Sequence, residues 1–482
     1  MTATILRPSP PALVPGRQRG HLLFGIVLAA AATLRALVML GYTTAQLYWY
    51  DSFTYLDTAL HMRPGGAFHP AGYSWFLWLF SDVKLVAGLQ HLMGLGVAVM
   101  IYLLLRRWSA PAWAATLATV PVLFDPAFIR LEHAILSDLQ VYFLIMAALT
   151  LLMWRTTITS SAAAGLLLAL AGLTRTAAVP LVGLALLYLL VRRAGRRPVI
   201  ALMLAGAIPL TAYAGWYQHH HGRFALSGAD GVSLWARTMT FADCRRVELT
   251  PEEAKLCPNG TVVDAASEYV WAAGASLNRM PGGRFAHNDL ARSFATKVIL
   301  AQPLDYLREV VKDTSLAFTW TPVAHPKRVS PALTFPKGAW ELPWHFPLVN
   351  KVRAEYDNGI RGMASVEPYG TILSHYRYPW FLHGTLFGLL LLAGGLSGAL
   401  WRRAALLPWA MSMFLLVGAR GRARLRPSLR AACHTSGLPG RRDGTARHAH
   451  RPASGSPARP GTATMSLPRS RRNDGRGRIV AV

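Results

Sequence analysis

The chain has 482 residues, 52% of them hydrophobic and 15% charged, with a mean hydropathy of +0.29. That composition excludes a single soluble domain and fits a chain that crosses a membrane several times. The formal charge of +27 does not point to nucleic acid, because the basic residues gather at the ends of apolar runs and in the final tail, and no nucleic-acid-binding motif accompanies them.

Crossing a bilayer takes about 20 residues of helix. Apolar runs near 21–42, 84–105, 111–128, 137–154, 161–174, 177–191, 198–216, 379–400 and 404–418 are read as spans. The expected fold is an all-α polytopic membrane protein of about nine transmembrane helices with a mostly helical extracytoplasmic domain. Arg7, Arg17 and Arg19 hold the N-terminus in the cytoplasm, and the long first run reads as an uncleaved anchor. Arg106-Arg107, Arg155, Arg192 to Arg197 and Arg402-Arg403 then all fall inside. The expected divisions are a transmembrane module over 1–216, an outer domain over 217–378, two further spans over 379–418 and a tail over 419–482. On this topology Asp51, Asp57, Asp125, Glu132 and Asp138 share the outer face.

Within the outer domain, Asn288-Asp289 opens a helix to about Ala301, and Pro303 opens a second through Asp313. Cys244 and Cys257 are expected to form a disulfide, which an outer compartment permits. From Arg420 onward the chain holds 15 Arg and 2 Asp but no Lys or Glu. The positive-inside rule disfavours so much Arg outside, where the ninth span would leave it. The tail reads as a disordered basic segment or, the preferred reading, as a GC-rich gene translated in the wrong frame after about Gly418. It is assigned no chemistry.

Chemistry concentrates ten residues after the first run, in Tyr48-Trp49-Tyr50-Asp51-Ser52-Phe53-Thr54-Tyr55. Aromatic rings favour the headgroup layer, so this carboxylate sits where a lipid-borne phosphate or a hydroxyl acceptor can reach it. Further along come His69-Pro70-Ala71-Gly72-Tyr73, then Leu131-Glu132-His133-Ala134-Ile135-Leu136-Ser137-Asp138, then Leu173-Thr174-Arg175. These segments, over roughly residues 20–220, resemble the GT-C superfamily of polyprenyl-phosphate-dependent glycosyltransferases, which includes protein mannosyltransferases and lipid A aminoarabinose transferases. In that family the first outer loop places an acid, often Asp-Glu, after helix one, with a Tyr near +4. Ser52 replaces the second acid here, which puts a paired-carboxylate metal site in doubt.

The resemblance implies an inverting enzyme that takes a sugar from a polyprenyl-phosphate donor and passes it to a lipid, glycan or protein acceptor at the plasma membrane. Asp51 would be the base, since sugar transfer needs a group to take the acceptor's proton. Tyr55, His69, Glu132, His133 and Asp138 would bind substrate. Arg175 and Arg35 would hold the leaving phosphate, with a divalent metal, Mg or Mn, as a further source of positive charge.

Each residue has a plainer reading. Asp51 could be a solvated interfacial acid, Asp57 a packing or capping residue, and Asp138 a cap on its helix. Arg35 lies inside an apolar run, where a charge must snorkel or pair, and an outer-loop acid is as good a partner as a phosphate. Three consecutive residues, His219 to His221, cannot all face one ion from a regular helix and read as interfacial. Two other function classes stand beside the enzyme. A transporter or flippase would show charges mid-span and an internal repeat. A non-catalytic envelope-assembly scaffold would need no acid at Asp51.

Overall fold

A computed structural model describes residues 15–421, except 49, 263, 328–333, 343–344, 377–381 and 401–404. The Arg-rich tail, and with it Cys433, lies outside the described residues. What is described is almost entirely helical. The first half runs α1 (Pro15–Gly41), α2 (Asp51–His61), α3 (Gly72–Trp78), α4 (Val83–Arg107), α5 (Ala112–Phe124), α6 (Pro126–Glu132), α7 (Asp138–Trp154), α8 (Ile158–Thr174), α9 (Pro180–Val191) and α10 (Arg196–His221). An inserted segment follows with α11 (Asp230–Thr238), α12 (Pro251–Ala254), α13 (Ala266–Trp271), α14 (Gly283–Ala286), α15 (Asn288–Ala301), α16 (Pro303–Ser315), α17 (Pro347–Glu355) and α18 (Tyr369–Ser374). Two apolar helices, α19 (Gly384–Leu400) and α20 (Leu406–Gly421), complete it. The only ladder among the described residues pairs Ala339–Trp340 with Met363–Ala364.

By length and composition, His21–Gly41, α4 and α10 can each cross a membrane alone. The α5–α6 pair adds a fourth if its 61° bend belongs to one span. The remaining apolar helices, α7, α8, Thr176–Val191, α19 and Leu406–Val417, are shorter. Every run read as a span therefore carries an apolar helix, but length alone does not establish nine crossings. The third run differs most from the straight span expected over 111–128.

The bend has a local cause. Pro126 lacks the N–H that would reach back to Val122, and the Ala127 N–H bonds instead to Asp125 Oδ1 at 2.8 Å. The Val122 and Leu123 carbonyls thus lose their helical donors. Arg35 on α1 supplies replacements, from Nη1 to Leu123 O at 2.8 Å and from Nη2 to Val122 O at 3.4 Å.

The inserted segment does not form one body with one core. Residues 229–298 enclose Trp235, Phe294, Val270 and Leu277 in a core of their own. Val349, Val352, Tyr356 and Ile360 instead pack with Phe53, Leu56, Tyr73 and Val86 beside α2, α3 and α4. Asp57 joins these parts as an ion-paired residue, bound to Arg63 and to Lys351 Nζ of α17 at 2.9 Å. α15 and α16 occupy the two expected stretches, α16 with Pro303 in its first turn and α15 without the side-chain cap expected of Asn288-Asp289.

Cys244 and Cys257 are bonded, with Cα atoms 6.2 Å apart and a sequence separation of 13. Closing a loop of that size removes unfolded-state entropy worth about 3 kcal/mol. Cys257→Ser is expected to lower the chemical-unfolding stability of the purified protein by roughly that amount. An unchanged midpoint would show that the bridge does not restrain the unfolded chain.

Candidate active site

Asp51 opens α2 and is 7% exposed, so it stands at a helix N-terminus, where the dipole favours a carboxylate. His69, from the loop before α3, brings Nε2 to Asp51 Oδ1 at 3.1 Å. The His69 Nδ1 meets the Tyr55 hydroxyl at 3.1 Å, and that hydroxyl meets Ser137 Oγ at 2.9 Å. Tyr55 follows Asp51 by one helical turn, which is why the two face the same partner. Burial, reinforced by the Asp51 carboxylate, raises the Tyr55 phenol far above its ordinary value, so it stays a donor at neutral pH. A neutral His69 that donates from Nε2 and accepts at Nδ1 satisfies the whole chain, with Ser137 donating to Tyr55.

Beside this chain, Arg175 at the end of α8 pairs with Asp138 at the start of α7. Burial is the largest influence and lowers the Arg175 pKa, but Asp138, Tyr55, Tyr142 and Asp51 together more than offset it and raise it above its ordinary value. The guanidinium therefore stays charged, and its side chain is 31% exposed. Asp51, Tyr55, His69, Asp138 and Arg175 form one neighbourhood at the starts of α2 and α7 and the end of α8.

Arg35, Glu132 and His133 lie elsewhere, in a buried network. Arg35 Nη2 contacts Glu132 Oε1 at 2.7 Å, Glu132 Oε2 contacts His91 Nδ1 at 2.7 Å, and His91 Nε2 contacts His133 Nδ1 at 3.2 Å. None of the four side chains is more than 4% exposed. Burial and then the neighbouring His91 push the His133 pKa down to about 3, which keeps its ring neutral. These residues stand as internal supports, not as groups that touch a substrate in this conformation.

What they support is the turn after α6, and three further donors complete it. Gln90, on α4 and fully buried, donates from Nε2 to Glu132 O at 2.8 Å and to Ala134 O at 2.7 Å. Its Oε1 accepts from Tyr73 at 2.7 Å. Gln46 N–H donates to His133 O at 2.8 Å, and Ser52 Oγ donates to Ile135 O at 2.7 Å. Ser52, the residue in place of a second acid, thus fixes the backbone next to Asp51. The adjacent Gln90-His91 in an otherwise apolar run was the available signal, because polar side chains inside a span need partners.

The His219 to His221 run ends α10, exposed, with His220 against Trp216 and His221 against Tyr217. Among the described residues, no three His, Cys, Asp or Glu side chains are grouped to hold a metal ion.

No family model and no curated protein matches the chain. Among solved structures it is similar to the S. cerevisiae protein O-mannosyltransferase Pmt1-Pmt2 complex bound to the sugar donor, at 16% identity and a TM-score of 0.33. That match covers 53% of this chain and 38% of the yeast chain, so this chain spans well under half of that relative's length. It is also similar to ArnT from Cupriavidus metallidurans in the apo state, at 14% identity and a TM-score of 0.34, covering 84% of this chain and 78% of that one. At these values no residue role is taken from either.

Two outcomes follow from the buried network. Glu132→Leu leaves the Arg35 charge buried without its partner, a change that typically costs about 3–5 kcal/mol. Arg35→Leu also frees the Val122 and Leu123 carbonyls, so the test is additivity: the loss in the double variant Arg35→Leu with Glu132→Leu is expected to fall short of the sum of the two single losses, as read by thermal unfolding in detergent, and strict additivity would refute the pairing. The second outcome concerns acid. His133 is neutral when folded and titrates at its ordinary value of 6.5 when unfolded. Its contribution is complete above about pH 6.5 and is lost as pH falls toward 3. His133→Asn should flatten the stability profile in that window.

Proposed function

We propose that this chain is a membrane glycosyltransferase that moves a sugar from a polyprenyl-phosphate donor to a lipid, glycan or protein acceptor at the outer face of the plasma membrane. The observation that carries the proposal is the Asp51–His69–Tyr55–Ser137 chain, set beside a charged Arg175 and at the mouth of apolar helices. It is a preorganised carboxylate next to a cation, the pair that sugar transfer from a phosphate requires. On this reading about nine helices cross the bilayer, with the N-terminus in the cytoplasm and the inserted segment outside.

In the reaction, His69 engages Asp51 Oδ1, which leaves Oδ2 to take the proton from the acceptor hydroxyl or amine. The acceptor atom bonds to the anomeric carbon as the bond from that carbon to the phosphate oxygen breaks. Polyprenyl phosphate leaves with the electron pair, and Arg175 offsets its added charge. Attack opposite the phosphate inverts the anomeric centre. A divalent metal, Mg or Mn, remains part of the proposal as a second partner for that phosphate.

A panel of labelled polyprenyl-phosphate sugars, supplied to isolated membranes, tests the proposal. Wild type should transfer label, and Asp51→Asn should lose about 10²–10⁴-fold in rate, the usual contribution of a positioned base. Loss with a chelator would assign a metal. Equal transfer by both proteins would remove Asp51 from the mechanism.

A further inference from the structure

Tyr50, the residue before Asp51, has a left-handed backbone with φ of 71°. A non-glycine side chain pays conformational strain there, and such strain persists only where neighbours impose it. The Tyr50 ring meets that of Trp271 of α13 edge-on at 5.5 Å. Trp271 also lies 5.3 Å from Phe68, and Phe68 lies 5.1 Å from Phe285 of α14. Tyr50 and Phe68 thus flank the two members of the Asp51–His69 pair in sequence, while Trp271 and Phe285 arrive from the inserted segment. Tyr50 is 39% exposed and Phe285 38%, so the described protein does not close over this wall.

Arg284 lies over the Trp271 ring at 4.8 Å and over Phe285 at 5.4 Å. Its Nη1 donates to the Val270 carbonyl and to Asn278 Oδ1 at 3.1 Å. An anchored guanidinium among the rings suits a hydrocarbon chain poorly, because burying a charge beside lipid is costly. It suits an anionic headgroup poorly too, since its charge lies over two ring faces and its Nη1 is held by protein oxygens. Apolar ring faces set among polar groups match a different ligand. A pyranose has an apolar C–H face that stacks on aromatic rings and a rim of hydroxyls that seeks hydrogen bonds.

We propose that Tyr50, Phe68, Trp271, Phe285 and Arg284 form a saccharide subsite, so that the acceptor delivered to Asp51 is a glycan. The inference rests on the reading of Asp51 as the base. It is tested on the full chain in detergent by NMR saturation transfer to methyl mannoside, methyl galactoside and methyl arabinoside, with cyclohexanol as the non-saccharide control. Saturation should reach the ring protons of at least one glycoside and not cyclohexanol. Phe285→Ala should reduce that contact about threefold or more, whereas Asp51→Asn should leave it in place. Phe285 lies outside the buried core of its segment, so its removal should leave thermal unfolding unchanged. Trp271→Phe should retain contact and Trp271→Leu should lose it. Absence of contact with every glycoside, equal saturation of cyclohexanol, or contact unaltered by Phe285→Ala would overturn the subsite. The two readings fail separately. Transfer that survives Asp51→Asn removes the base and leaves glycoside contact as evidence for the subsite. Transfer abolished by Asp51→Asn, with the acceptor KM unmoved by Phe285→Ala, keeps the base and removes the subsite.

Discussion

The turn from Glu132 to Ile135 hangs between three elements, and each of its carbonyls is taken by a donor from another part of the chain. Gln90 takes two, Gln46 one and Ser52 one. A buried carbonyl left without a donor is expensive, so this set of bonds strongly restricts where α2 and α4 can sit relative to α6. Asp51 inherits its position from that restriction. Ser52 is its sequence neighbour, and Ser137, just beyond the turn, ends the chain that reaches it through Tyr55 and His69.

The ionic network beneath the turn serves the same purpose at higher stakes. Arg35 satisfies carbonyls that Pro126 and Asp125 orphan, and its charge in turn calls for Glu132. Glu132 packs so closely that a Cβ on Gly94 would come within 1.9 Å of its Oε1. Only glycine leaves room for the carboxylate to lie against α4. A proline, a glycine, an arginine and a glutamate on three helices therefore form a single device. The bend in α5–α6 exists because its broken hydrogen bonds have somewhere to go.

Sequence patterns carried much of this, unevenly. Apolar runs located the helices because a bilayer leaves few alternatives. Pro303 located α16 because proline acts within one turn, whereas α15 begins at Asn288 without a side-chain cap, the Asn288 amide bonding Val232 and Asp230 instead. Arg35 was legible as a charge that needed a partner, but not which partner, since Glu132 is 97 residues away. Glu132 and His133 looked like site residues because acids and histidines at an outer helix end also occur where substrates bind. Only the packing of α4 against α6 reveals that they are enclosed. Gln90 and Ser52 escaped for a similar reason: a neutral polar side chain has no periodic signature, and its role depends on which carbonyl a distant turn brings near.

The aromatic wall was less legible still, and the reason bears on how the site divides its labour. The chain that aims Asp51 uses residues of the first half alone, from Asp51 to Ser137. The wall needs Trp271 and Phe285, more than 200 residues further along. Strain at Tyr50 is where the two halves meet: its backbone belongs to the entry of α2, and its ring belongs to the inserted segment. A carboxylate aimed by the first half of the chain and a ring surface supplied from the insert can vary independently. Changes at Phe285 can alter what is held near Asp51 without disturbing the hydrogen bonds that aim it. Changes in the turn at 132–135 would disturb the aim whatever is held.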